Sequence, residues 1–123
     1  MANDRDTTIQ ELKDLLRDFR DKRDWKQFHD PKNLAEAISI EAGELQELFL
    51  WKDKEKIIKA LEEDIGFKEE VGEELADVMG FCLNFANVTD IDVSSIVKNK
   101  IIKADGKYPV EKAKGNATKY NKL

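Results

Sequence analysis

The sequence predicts an all-α protein, an antiparallel four-helix-type bundle of about five helices that assembles into an oligomer. Apolar residues recur at spacings of three and four through five segments, and no segment shows the alternation of a strand. The connections between these segments are short, which favours antiparallel neighbours. With 123 residues we expect one domain over 1–109, followed by a polar, basic tail over 110–123.

The first predicted helix covers residues 7–22. Its apolar residues lie on one stripe: Ile9, Leu12, Leu16 and Phe19. Thr7 or Thr8 can accept a hydrogen bond from the first turn, and Glu11 is placed to complete a capping box. A linker follows, and Pro31 at its end suits the first turn of the second helix.

Four further helices are predicted: the second from 31 or 33 to 51, the third over 53–62, the fourth over 68–87 and the fifth from 90 or 92 to 106. Asp53 is the expected N-cap of the third helix, and Asp90 or Asp92 opens the fifth. Gly66 is expected to mark a break before the fourth helix, and Gly106 to end the fifth. The second and fourth helices have apolar faces too broad for one small domain to cover, which predicts a homo-oligomer.

Composition restricts the class of protein. Charged residues make up 38% of the chain and the net charge is −5, which argues against a general nucleic-acid binder. The single cysteine, Cys82, cannot form an internal disulfide and fits a reducing cytosol. We find no signal-peptide core and no apolar run long enough for a membrane, so we expect a cytoplasmic protein without membrane contact.

Two acidic pairs, Glu41 with Glu44 and Glu74 with Asp77, carry the main chemical signal. Residues three apart share a helix face, and these pairs fall within or beside apolar stripes. A carboxylate on the core side is costly unless a cation neutralises it, and both segments are poor in Lys and Arg. The structural alternative is that a Lys or Arg side chain holds each carboxylate, and Lys52 and Lys68 lie near the segment ends. An all-oxygen ligand set favours Mg²⁺, with Mn²⁺ possible, and so predicts metal-assisted chemistry on phosphates.

Aromatic residues form a second group with the only histidine: Trp25, Phe28, His29 and Trp51. Nucleobases stack on aromatic faces, and a histidine can hydrogen-bond a base edge. Core packing or an oligomer contact is the alternative for the same residues. A third group is basic and lies at the end of the fifth helix: Lys98, Lys100, Lys103 and Lys107, with Tyr108. These residues form either a solvated helix end or a grip on a triphosphate.

Several stretches resemble the all-α nucleoside triphosphate pyrophosphohydrolases of the MazG type. Residues 41–45 followed by 73–77 are similar to that family's Glu-Glu-x-x-Glu and Glu-x-x-Asp motif. Further stretches resemble the dCTP pyrophosphatase branch in particular: 23–29, 44–52, 107–109 and 119–120. The resemblance covers roughly residues 8 to 121.

The resemblance implies hydrolysis of a nucleoside triphosphate to the monophosphate and diphosphate, with dCTP the first substrate and nucleotide-pool house-cleaning the role. It implies Mg²⁺ held by Glu41, Glu44, Glu74 and Asp77. A carboxylate must accept the proton of the water, and Glu41 or Glu44 is the first candidate, with Glu47 as a further one. The base pocket then falls on Trp25, His29 and Trp51. Phosphate contacts are expected from Lys100, Lys107 and Tyr108. A homodimer or a homotetramer made of two dimers is the expected assembly.

Four positions depart from the family pattern: Leu16, Ile40, Phe81 and Ala104, where relatives often carry a polar residue, Glu, Tyr and Asn. These departures leave the base and sugar preference open. A dUTPase-like or phosphoribosyl-ATP pyrophosphohydrolase relative remains an alternative, as does a non-catalytic helical nucleotide-binding module. A ferritin-like di-iron bundle would need Glu-x-x-His twice, and the chain has one histidine.

Overall fold

A computed structural model describes all residues, 1–123, and contains helices but no strand. Six α-helices follow in chain order: α1 Ile9–Asp21, α2 Pro31–Glu47, α3 Lys54–Glu63, α4 Ile65–Thr89, α5 Val93–Lys107 and α6 Val110–Ala113. Two short 3₁₀ turns, Lys26–Phe28 and Tyr120–Lys122, complete the secondary structure. The all-α prediction is therefore confirmed.

Side-chain caps set four of the helix starts. The predicted capping threonine is Thr8, whose hydroxyl accepts from the Glu11 N–H at 3.1 Å. Three aspartates cap α2, α4 and α5 in the same way: Asp30, Asp64 and Asp92. Each cap satisfies one of the N–H groups that the first turn of a helix leaves without a partner.

Some predicted boundaries were wrong. The fourth helix does not break at Gly66, because Asp64 caps α4 one residue before Ile65 and the helix runs on through the glycine. Gly106 lies inside α5, which ends at Lys107. The second helix ends at Glu47 rather than near residue 51. The short helix α6 was not predicted from the sequence.

Residues 1–90 form one compact unit, and α4 is its central element. Helix α2 packs along α4, and α1 and α3 also contact it. The best-buried apolar side chains lie between these helices: Leu34, Leu83 and Ala86. The carboxylates of α2 therefore come to lie beside those of α4.

A polar clamp joins α1 to α4. The Asn87 side-chain amide donates to the Lys13 carbonyl oxygen and accepts from the Arg17 guanidinium, both at 3.0 Å. Because both contacts cross from one helix to the other, they fix the register between them.

Residues 91–123 form the second compact unit, which contains α5 and α6. The rings of Tyr108 and Tyr120 meet edge to face with their centres 6.1 Å apart. The Lys107 ammonium lies 4.7 Å from the centre of the Tyr120 ring. The two C-terminal tyrosine-containing stretches of the sequence therefore pack against each other.

Many large apolar side chains of the helices remain exposed to solvent in the single chain. In α1, Leu15 is 66% exposed, and in α5 Ile102 is 70% exposed. Others follow the same pattern: Phe19, Ile40, Leu75, Met79, Ile96, Val97 and Ile101. A membrane-spanning helix needs a length and a hydropathy that no α-helix of this structure combines.

Candidate active site

Three carboxylates converge where α2 packs on α4. One oxygen each of Glu41, Glu44 and Glu74 can be chosen so that all three atoms lie within 4.8 Å of one another. Glu41 and Glu44 share a face of α2 because they are three residues apart, and Glu74 comes from α4. Like charges so close repel one another and create a site of strong negative potential.

No basic side chain neutralises this cluster. Four ion pairs involve other carboxylates: Asp14 with Arg17, Asp18 with Lys22, Asp21 with Arg20 and Glu36 with Lys32. The structure therefore does not contain the structural alternative, in which a Lys or Arg side chain holds each carboxylate. Moreover, Oε2 of Glu41 and Oε2 of Glu74 are buried and have no hydrogen-bond partner. Two buried carboxylate oxygens without partners are a costly arrangement for a protein that binds nothing there.

The electrostatics of the cluster favour its protonated forms. Burial, and then the neighbouring Glu44, raises the pKa of Glu41 above its ordinary value. Burial, and then Glu44 and Asp77, likewise raises the pKa of Glu74. A divalent cation bound among these oxygens would reverse both effects, because it stabilises the ionised form of each ligand.

Asp77, the fourth predicted ligand, connects the acidic cluster to a cavity. Its charge contributes to the raised pKa of both Glu41 and Glu74, so it lies close to them. It also lines a cavity of about 230 Å³. This cavity lies between α1, α4 and the segment that joins α1 to α2. The other residues of the wall are Leu16, Phe19, Arg20, Trp25, His29, Ala76, Gly80, Phe81 and Asn84. Sites for drug-sized ligands have about 300–1,000 Å³, so this cavity suits one part of a larger molecule.

The backbone between α1 and α2 brings Trp25 to the cavity. Asp24 adopts a left-handed conformation with φ of 54°, which aspartate tolerates better than most residues. The Trp25 N–H then donates to the Arg20 carbonyl oxygen at 3.1 Å. The Trp25 ring meets Phe19 edge to face with the centres 5.8 Å apart, and the Arg23 guanidinium lies over Phe19 at 3.6 Å. Trp25 stays 44% exposed and so has a free surface for a ligand.

His29 lines the same cavity from the 3₁₀ turn that follows Trp25. Its Nδ1 is buried and lacks a hydrogen-bond partner. Burial, and then the positive charge of Arg20, lowers the pKa of His29 below its ordinary value of 6.5. The imidazole is therefore neutral at pH 7 and can both donate and accept a hydrogen bond.

The structure brings two of the predicted base-contacting residues together and leaves the third apart. Trp25 and His29 share the cavity, whereas Trp51 is 94% exposed and does not line it. Trp51 also has a left-handed backbone with φ of 62°. Lys100, Lys107 and Tyr108 lie in the second unit, in or just after α5. The roles of these four residues stay predictions.

Sequence reasoning missed two polar residues of the cavity, Arg20 and Asn84. Both are buried, with 6% and 9% of their surface exposed. A signal was available, because Asn84 follows Asp77 by seven residues and two helical turns place it on the same face. Arg20 likewise follows Leu16 by four residues in α1.

Comparison with known proteins supports the resemblance. The sequence profile of the MazG-like family matches residues 37–123. The dCTP pyrophosphatase 1 of Rattus norvegicus is 37% identical over 119 residues, which cover 94% of this chain and 68% of that protein. The dCTP pyrophosphatase 1 of Homo sapiens is 33% identical over 117 residues, with the same coverage of both chains.

A solved structure agrees with the sequence relatives. The crystal structure of a pyrophosphatase from Archaeoglobus fulgidus DSM 4304 superposes with a TM-score of 0.76 at 41% sequence identity. The match covers 89% of this chain and 99% of that one. The chain therefore belongs to the MazG-like family, and its relatives place it among the nucleotide pyrophosphohydrolases.

Proposed function

We propose that this protein is a Mg²⁺-dependent nucleoside triphosphate pyrophosphohydrolase that converts a deoxynucleoside triphosphate and water into the monophosphate and diphosphate. dCTP is the first substrate we expect, because relatives at 33–37% identity carry that substrate in their names. The observation that carries the proposal is the unpaired acidic cluster, which has two buried oxygens without partners and adjoins a cavity with an aromatic wall.

The residues present fit a hard divalent cation. All donors are carboxylate oxygens, and two of them lack any other partner. Glu41, Glu44, Glu74 and Asp77 would hold Mg²⁺, or Mn²⁺ in its place. When bound, such an ion neutralises phosphate charge and makes a coordinated water more acidic.

The chain contributes the proton acceptor for the reaction. The water oxygen forms a bond to the α-phosphorus, the bridging bond between the α- and β-phosphates breaks, and its electron pair leaves with the diphosphate. We assign the proton of the water to Glu41 or Glu44, because both carboxylates belong to the cluster. No protein nucleophile is needed, so no covalent enzyme intermediate forms.

The cavity beside Asp77 is the proposed base pocket. Trp25 supplies a stacking face and His29 a polar group on the base, and Leu16 and Phe81 close the apolar wall. We retain Trp51 as a further base contact and Lys100, Lys107 and Tyr108 as phosphate contacts on the strength of the sequence resemblance. Lysines suit this role as point charges on a flexible stem.

We propose a homodimer, or a homotetramer of two dimers, as the working assembly. The support is the exposed apolar surface of α1 and α5, of which Leu15 and Ile102 are examples. The free thiol of Cys82 suits the reducing cytoplasm that we propose as its compartment. House-cleaning of the nucleotide pool is the proposed role, carried out by the domain over 1–109 with the basic tail 110–123.

The test is a substrate panel. Purified protein is incubated with each canonical dNTP and NTP, with Mg²⁺ or with a chelator, and the products are separated. We expect monophosphate and diphosphate only with the metal, with dCTP ranked first. Absence of turnover on every nucleotide would refute the enzyme, and a different ranking would refute only the dCTP assignment.

A further inference from the structure

The cavity beside the acidic cluster contains two buried polar residues that its proposed role does not yet use. Most of its wall is apolar, formed by residues such as Leu16, Phe19 and Phe81. Arg20 and Asn84 interrupt this wall, and both side chains are more than nine-tenths buried. Polar groups in such a place cost folding free energy unless they gain a partner.

Asn84 has no partner within the protein for its carboxamide oxygen. Oδ1 is buried and accepts no hydrogen bond. Asn87, one turn further along α4, shows the ordinary alternative, since its carboxamide bonds to both Lys13 and Arg17. Of the two asparagines, only Asn84 lines the cavity and lacks such partners. Its position therefore points to a ligand as the missing partner.

Arg20 lines the same cavity and is paired with its neighbour Asp21. Its Nε and Nη2 atoms both contact Oδ1 of Asp21 at 2.8 Å, and the Asp21 side chain is half-exposed. The guanidinium carries only donors, so the Arg20 side of the cavity favours an acceptor on the ligand, such as a carbonyl oxygen. Asn84 offers one donor and one acceptor side by side.

We propose that Asn84 is the specificity-determining residue of the base pocket and reads the edge of a 4-aminopyrimidine. Oδ1 accepts from the exocyclic amino group and Nδ2 donates to the ring nitrogen N3, while Arg20 faces the 2-carbonyl oxygen. The same carboxamide pattern reads the amino and ring-nitrogen edge of adenine in DNA recognition. This inference rests on the proposed function, because it assigns the cavity to the base of the substrate.

The test compares dCTP with its analogue that lacks the 4-amino group, the 2-pyrimidinone deoxyribonucleoside triphosphate. We expect the wild-type protein to prefer dCTP by about 10- to 100-fold in kcat/KM, mostly through KM, as one bidentate contact supplies. Asn84→Leu, which keeps the approximate size without the amide, should reduce this preference to about 3-fold or less.

Asn87→Leu is the matched control, because it removes the same group one turn away and outside the cavity. It should lower the melting temperature but keep the preference for dCTP. A preference that is equal in Asn84→Leu and in the wild type would overturn the inference. If Asn84→Leu does not fold, the wild-type protein still decides, since equal kcat/KM for dCTP and the analogue would also overturn it.

A separate measurement distinguishes failure of this inference from failure of the proposed function. Binding of dCMP and of its 4-deamino analogue is measured by calorimetry without metal. Tighter binding of dCMP by about 10-fold or more, lost in Asn84→Leu, would support the role of Asn84 even if no triphosphate were hydrolysed. Hydrolysis of dCTP with equal binding of the two monophosphates would refute the role of Asn84 and leave the proposed function standing.

Discussion

At the scale of single residues, the active site depends on carboxylates placed where a helix would otherwise be apolar. Glu41 and Glu74 each keep one buried oxygen without a hydrogen bond, and no lysine or arginine pairs with either residue. Such an arrangement destabilises the metal-free protein, and it becomes favourable when a cation binds. These side chains therefore lower the stability of the metal-free protein, whereas the proposed activity requires them.

The substitution Glu41→Gln tests whether this carboxylate supports activity and lowers stability. We expect turnover to fall by about 100-fold or more, because the change removes a ligand charge and a candidate base. The melting temperature of the metal-free variant should rise, since repulsion within the cluster is reduced. Glu36→Gln is the control on the same helix, because Glu36 is exposed and pairs with Lys32. Full activity of Glu41→Gln would contradict the assignment of Glu41 to the active site.

Trp25→Ala tests the base pocket. Loss of one stacking face should raise KM for dCTP by about 5- to 150-fold, the range given by 1–3 kcal/mol for one stacked base. Trp25→Phe keeps an aromatic face and should recover part of the affinity. Nucleotide titrations followed by calorimetry measure both variants. Unchanged affinity in a folded Trp25→Ala protein would show that Trp25 serves packing only.

At the scale of helices, the site depends on how α2 packs against α4. The sequence predicted the acidic residues because their spacing of three is local information that a helix converts directly into a shared face. It could not show which carboxylate oxygens become buried, since that depends on contacts between helices. Asn84 and Arg20 were missed for the same reason, because only packing reveals that they share one cavity with Trp25.

Helix boundaries show a second limit of sequence reasoning. The caps at Thr8 and Asp92 were predicted, since each is a local hydrogen bond between a side chain and the following turn. Gly66 was wrongly given the role of a break. Its helical conformation costs about 1 kcal/mol relative to alanine, and the Asp64 cap together with packing of α4 outweighs that cost.

Leu34→Ala tests the packing of α2 on α4. Leu34 is 2% exposed, so its truncation should lower the free energy of unfolding by about 2–5 kcal/mol. Ile40→Ala on the same helix is the control, because Ile40 is 62% exposed and should change stability by about 0.5 kcal/mol or less. Urea unfolding followed by circular dichroism measures both. Equal effects of the two changes would contradict the described core.

The same helix pair predicts how stability depends on pH. The pKa values of Glu41 and Glu74 are raised in the folded protein, so the stability that their protonated forms contribute is lost as pH rises above about 4.5. The metal-free melting temperature should therefore fall relative to that of Glu41→Gln between that pH and neutrality. Saturating Mg²⁺ should remove this relative fall in the melting temperature of the wild type, because the ion binds the ionised cluster. Parallel pH curves for both proteins without metal would contradict this.

At the scale of the whole molecule, exposed apolar side chains on α1 and α5 predict assembly. Light scattering after gel filtration should give two or four times the chain mass of 14.1 kDa. Leu15→Lys should shift the mass downward if α1 contributes to the contact, whereas Gln10→Lys on the same helix should not. A mass of one chain for the wild type at micromolar concentration would refute the oligomer.

The destination of the water oxygen tests most directly the proposal that this protein is a nucleoside triphosphate pyrophosphohydrolase. The protein is given dCTP and Mg²⁺ in ¹⁸O-labelled water, and both products are analysed by mass spectrometry. We predict one labelled oxygen in the monophosphate and none in the diphosphate, because water attacks the α-phosphorus. Label in the diphosphate, or release of orthophosphate with the nucleoside diphosphate, would contradict a pyrophosphohydrolase of this family.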